Sequence, residues 1–159
     1  MGRWALVCLV ILACGCAKPA SGPQTAAGTG PAVEGEGATA AKGAIAWSYD
    51  FEEGMAQAQE SGKPVMVDVF ATWCAPCKLL EETVFSRADV AEASTGFVPI
   101  KVDGDKYPEV REKLGVTSYP TVVFLRDDGT ELGRSKGAVS YDVMLEAMAK
   151  AQEKFAAGQ

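Results

Sequence analysis

The stretch Trp73–Lys78, WCAPCK, holds two cysteines, Cys74 and Cys77, with Ala75 and Pro76 between them. Such a pair suits a redox centre, half of a metal site, a haem attachment or a structural staple. Just before it, Val65–Phe70, VMVDVF, is a β-branched apolar run with the signature of a buried strand. Just after it, Leu79–Phe85, LLEETVF, places Leu79, Leu80, Thr83 and Val84 on one helical face. The pair therefore falls at a strand-to-helix junction, with Pro76 in the first helical turn, where proline is tolerated.

Further out, Asp50–Glu53, DFEE, matches a capping box with Asp50 as N-cap. Phe51, Met55 and Ala58 continue it at helical spacing, Gly62 stops the helix and Pro64 prevents its return. Ser86–Ser94 is a second short helix, Phe97–Val102 a strand, and Tyr107–Leu114 a helix ended by Gly115. Thr121–Leu125, TVVFL, is another strand, and Asp128-Gly129 turns the chain into an antiparallel edge strand over Glu131–Ser135. Ser140 caps a final helix with Val143, Met144, Ala147 and Met148 on its apolar face and Ala151 continuing it. Strands alternating with helices predict an α/β domain. It has a central mixed sheet of four to five strands flanked by helices, ending in a hairpin and a helix. Ile45–Trp47 is the candidate fifth strand.

The chain has 159 residues, a formal charge of −6 and no histidine. That suits one domain plus extensions. With no basic stripe, nucleic acid is not an expected partner. Without histidine, the usual general base and the commonest metal ligand are missing from any mechanism. Residues 1–16, MGRWALVCLVILACGC, have the layout of a secretory signal: Arg3, then an apolar run too short for a comfortable membrane span, then small residues. The end resembles the lipobox of bacterial lipoproteins. Cys16 is the favoured lipidation site, Cys14 the alternative, and a signal without lipid stays open. Residues 17–43 are rich in Ala, Gly, Pro and Thr, with Val33 the one sizeable apolar residue, and form a disordered linker that cannot bury enough surface to fold. The folded domain is expected over residues 44–159. Export and lipidation together predict an envelope or periplasmic location at a membrane surface.

If processing removes the residues before Cys16, the remaining thiols are Cys74 and Cys77. The haem reading fails, because Lys78 stands where histidine must come directly after the second cysteine. Zinc needs four ligands, so a site would have to be shared across a dimer. A bridge closing so small a loop constrains little of the unfolded chain, which makes a stability role a poor reason for it. Redox chemistry has a mechanism. A helix N-terminus stabilises a thiolate on Cys74, expected to be the more exposed cysteine, and Cys77 lies one turn along, within reach of a mixed disulfide.

With these elements in order, Trp47–Lys154 resembles the thioredoxin family. VDVFATWCAPCK is similar to its active-site strand and helix start, and SYPT, Ser118–Thr121, to its cis-proline loop. The lead-in from Trp47 is closer to exported thioredoxin-like proteins, including the C-terminal domain of the membrane disulfide reductase DsbD. The resemblance implies a thioredoxin fold and a Cys74–Cys77 redox disulfide, with Cys74 as nucleophile and Cys77 as resolving thiol. It makes Trp73 an apolar platform, and Pro76 a tuner toward reducing potential. Pro120 becomes a cis-proline that leaves the backbone at Tyr119 available to a substrate strand. Asp68 becomes a carboxylate that takes the proton from the resolving thiol, with Lys101 its partner, although strand alternation alone leaves a solvent-facing Asp68 open. A carboxylate buried in this strand should have a raised pKa. The implied activity is protein-disulfide reduction without cofactor or metal. The implied partners are disulfide-containing client proteins and a membrane electron donor of the DsbD or CcdA type, and the implied state is a monomer. Two rivals are a disulfide oxidase or isomerase on the same fold, and a non-catalytic binding module.

Overall fold

The computed structural model describes residues 44–158. The leader, Cys14, Cys16 and the whole of the linker lie outside the described residues.

The chain enters through Ile45–Ser48. Ser48 pairs with Ile100 through an isolated parallel bridge, its N–H donating to the Pro99 carbonyl (2.9 Å) and its carbonyl accepting from Lys101 N–H (2.8 Å). The fifth strand expected over Ile45–Trp47 is thus reduced to one bridge a residue later, with Ile45 buried in the core. Helix α1 (Phe51–Ser61) begins on Asp50, whose Oδ1 accepts the Glu53 N–H (2.9 Å), and ends on Gly62 at φ +61°. Positive φ suits glycine, which has no Cβ to clash.

Strand β1 (Val65–Phe70) runs into α2 (Ala75–Leu80), which continues as one wider π-helical turn (Glu81–Phe85). Helix α3 (Ala88–Ser94), β2 (Val98–Asp103), α4 (Pro108–Lys113), β3 (Thr121–Leu125), β4 (Glu131–Lys136) and α5 (Tyr141–Ala156) come after it. The four strands of the sheet lie in the order β2-β1-β3-β4, with β1 parallel to β2, antiparallel to β3, and β3 antiparallel to β4. Gly129 supplies the positive φ of the β3–β4 turn, where the Asp128 carboxylate accepts the Thr130 N–H.

Alternation along β1 divides the core between two faces. Val65, Val67 and Val69 join Phe51, Ala58, Val110 and Leu114 under α1 and α4. Met66 faces the other way, with Leu80, Val84, Phe85, Phe124, Met144 and Met148 under α2, α3 and α5. Asp68 shares the parity of Met66, so it points beneath the helix that carries the cysteines.

Two helical faces differ from expectation. Leu80, Val84 and Phe85 are buried, whereas Leu79 is half exposed and Thr83 is exposed, its Oγ1 donating to the Leu79 carbonyl. The π turn inserts extra arc, which rotates the residues beyond Leu80 away from a 3.6-residue stripe. In α5, Met144, Met148, Ala151 and Phe155 form the buried stripe and Val143 is exposed, one residue off its axis. Ser140 takes the N-cap position of α5 with extended backbone but no side-chain capping bond.

Candidate active site

The β1–α2 junction is a tight turn closed by Cys74 N–H on the Ala71 carbonyl (3.1 Å). Cys74 is the N-cap of α2 and Pro76 lies in its first turn. Cys74 and Cys77 form a disulfide with Cα atoms 5.3 Å apart. The Cys77 N–H is shared between the Cys74 carbonyl (3.2 Å) and Cys74 Sγ (3.2 Å), so an amide of the helix start is aimed at that sulfur. A donor and a positive helix end both favour thiolate over thiol. The expected exposure is reversed: Cys74 is only 3% exposed, and Cys77 is the half-buried one, lining a cavity of about 160 Å³. The turn at Ala71 folds Cys74 in against the end of the sheet, so its claim to be the nucleophile rests on the helix cap and not on exposure.

Asp68, Lys101, Glu81 and Lys78 line the same cavity as Cys77. The parallel register sets Asp68 directly beside Lys101. Lys101 Nζ is 3.8 Å from Asp68 Oδ2 and is hydrogen-bonded to Glu81. The ammonium also sits 5.3–5.8 Å from the ring centres of Trp47, Phe70 and Phe85. Asp68 is 3% exposed and its Oδ1 has no hydrogen-bond partner among the described residues. Burial pushes its carboxyl up from 3.8 to about 7; Lys101 opposes that rise and the charge of Glu81 adds to it. A group that titrates near neutrality accepts and returns a proton with little free-energy cost in either direction. A cavity of this size lined by polar groups has room for water.

On the solvent side, Tyr119-Pro120 is a cis peptide bond at the start of β3, with Pro120 buried. Trp73 is 70% exposed, yet held: its Nε1–H donates to Asp105 Oδ2 (2.7 Å), and its ring meets Tyr119 edge-to-face at 6.0 Å. The Tyr119 hydroxyl donates to Asp105 Oδ1 (2.9 Å) and accepts from Arg111 (3.4 Å). The bonds from Trp73 and then Tyr119 hold the Asp105 carboxyl below its ordinary range.

Cys74, Cys77, Asp68 and Lys101 thus meet at one end of the sheet, as do Trp73 and Tyr119. Glu81, Asp105 and Arg111 complete these groups without having stood out in the sequence. Glu81 had a helical face to suggest it, since it lies one turn beyond Cys77. Asp105 comes after a glycine in an apparent loop and Arg111 lies on a short helix, and neither pattern signals contact with residues 32 and 8 positions away.

A disulfide-paired CxxC at a helix cap after β1, with a cis-proline opening the neighbouring strand β3 of a β2-β1-β3-β4 sheet, defines a thioredoxin-type thiol–disulfide oxidoreductase. The chain belongs to the thioredoxin-like domain family, whose model matches residues 51–152. It is 39% identical over 94 residues to a thioredoxin H-type of Oryza sativa subsp. indica, covering 59% of this chain and 74% of that one. It is 40% identical over 80 residues to the thiol:disulfide interchange protein DsbD of Klebsiella pneumoniae, covering 48% of this chain but only 13% of that one. The solution structure of a thioredoxin from Thermus thermophilus superposes with a TM-score of 0.65 at 28% identity, covering 73% of this chain and 94% of that one.

Proposed function

We propose that this protein reduces disulfides of client proteins on the exported side of a bacterial membrane. The observation that carries the reading is the capped Cys74 sulfur backed by the buried, near-neutral Asp68 in the cavity of Cys77. In the reduced protein, the Cys74 thiolate attacks a client disulfide. One S–S bond forms as another breaks, and the first client sulfur leaves as a thiolate that takes up a proton. Cys77 then gives its proton to Asp68 and attacks Cys74 Sγ. The second client thiol is released, and the chain ends as the Cys74–Cys77 disulfide seen here. Two electrons have passed to the client, and Lys101 steadies Asp68 while it is charged. In the described residues no backbone hydrogen bond engages Tyr119 beside Pro120, which suits pairing with an extended client strand.

The reducing direction is supported by Pro76 between the cysteines and by the likeness to DsbD. The envelope location is supported by the signal-like start and the cysteines at its end, with lipidation at Cys16 or Cys14 providing the membrane anchor. A protein reduced in an oxidising compartment needs a donor, and the proposed one is a membrane electron carrier of the DsbD or CcdA type. Insulin reduction driven by dithiothreitol tests the activity: the wild type accelerates precipitation of the reduced chains, and Cys74→Ser does not. A wild type with no acceleration would reduce the chain to a binding module with a static disulfide.

A further inference from the structure

We propose that Asp105 and Arg111 are positioning residues that fix Tyr119 against Trp73 as a rigid aromatic slot beside the cysteine pair, selecting client segments with a bulky apolar side chain next to their cystine. The inference rests on the disulfide-reductase reading above and adds the property of the client that the site recognises.

Trp73 gains little from burial, since most of its surface stays in water. It is nevertheless locked. One carboxylate uses both oxygens, Oδ2 for the indole N–H (2.7 Å) and Oδ1 for the Tyr119 hydroxyl (2.9 Å). Arg111 backs the same pair, 3.4 Å from the tyrosine oxygen and 3.8 Å from Asp105 Oδ1. The backbone is shaped to admit this arrangement. A Cβ at Gly104 would lie 2.5 Å from the Tyr119 hydroxyl oxygen and 2.7 Å from Cε1, so any larger residue there displaces the ring. Two aromatic walls are therefore held at 68° to each other by groups from three separate segments, the β2–α4 loop, α4 and the cis-proline loop.

Ordering an exposed indole costs rotamer entropy, which in the free chain is met by its hydrogen bond to Asp105 and its edge contact with Tyr119 alone. A second return comes when something binds: an apolar surface already fixed in place loses no further freedom on contact, and rigid aromatic anchors contribute the most per contact. Trp73 is joined to Cys74, so a residue flanking a client cystine meets this surface when the sulfurs meet. Both polar atoms of the slot are already satisfied by Asp105, which leaves the ring faces for an apolar partner.

The test compares two cystine peptides, identical except for Leu or Gly beside one cysteine, reduced by the full-length protein with dithiothreitol as terminal reductant. The wild type should show a lower KM for the Leu peptide. Asp105→Ala and Gly104→Ala, which undo the slot by unrelated means, should raise that KM about fivefold and shrink the preference, with kcat held within about twofold. Asp105→Asn keeps one acceptor and should fall between, and Arg111→Met should show a smaller change in the same direction. Equal KM values for the two peptides in the wild type would overturn the proposal, as would a preference that survives both variants, or a loss confined to kcat. A wild type that reduces neither peptide would overturn the disulfide-reductase reading and this proposal with it, a result plainly different from reduction without preference.

Discussion

Asp68 and Asp105 are both aspartates beside the same cysteine pair, and their surroundings pull them in opposite directions. Asp68 is buried beneath α2, with one oxygen unpartnered among the described residues and a lysine at 3.8 Å, and its carboxyl rises to about 7. Asp105 stands in solvent with both oxygens accepting hydrogen bonds, and its carboxyl is held low. Burial disfavours the charged form, and hydrogen bonds to the charged form favour it. One carboxylate is thereby suited to moving a proton at neutral pH, and the other to remaining a permanent acceptor that holds side chains in place.

The largest expected effect breaks this contrast on the buried side. Asp68→Asn should slow release of the mixed disulfide about tenfold at pH 7, because Cys77 must then lose its proton to water. Stopped-flow measurement of client release reads this step. The same substitution should stabilise the fold. Asp68 stays protonated in the native state up to about pH 7, whereas in the unfolded chain it ionises above 3.8. Stability of the wild type should therefore fall as pH rises from about 4 to 7 and level off above that range. Asp68→Asn should remove this slope and gain up to about 4 kcal/mol at pH 8, measured by denaturant unfolding of the oxidised protein.

A smaller effect sharpens the contrast. Lys101 lowers the Asp68 carboxyl against the push of burial. Lys101→Met should raise the Asp68 midpoint above its wild-type position, as read by carboxyl-carbon NMR titration. A midpoint that does not move would mean that burial and Glu81 set it without Lys101. The client preference governed by Asp105 is expected to be the mildest of these effects, because it changes binding and leaves the sulfur chemistry in place.

Much of this arrangement was legible in the sequence because its signals are local. The cap at Asp50, the stop at Gly62, the turn at Asp128-Gly129 and the placement of WCAPCK between an apolar run and a helix each need only a few neighbouring residues. The Asp68–Lys101 pair came from resemblance, and the parallel register gives its physical basis. Helical phase was less secure: Leu80 and Val84 hold the buried face together with Phe85, which a π turn brings in and a 3.6-residue pattern does not signal, while Leu79 and Thr83 lie to one side. Exposure of the two cysteines is not legible either, since it depends on how the Ala71 turn folds back and not on order along the chain. Asp105 and Arg111 escaped notice because their partners are set by tertiary contact alone.

The central claim is that the Cys74–Cys77 couple donates electrons, and its reduction potential tests that most directly. Equilibration of the protein against dithiothreitol or glutathione buffers should give a value near roughly −270 mV, as for thioredoxin. A value near roughly −120 mV, as for a strong oxidant, would contradict the assigned direction and make the protein a donor of disulfides.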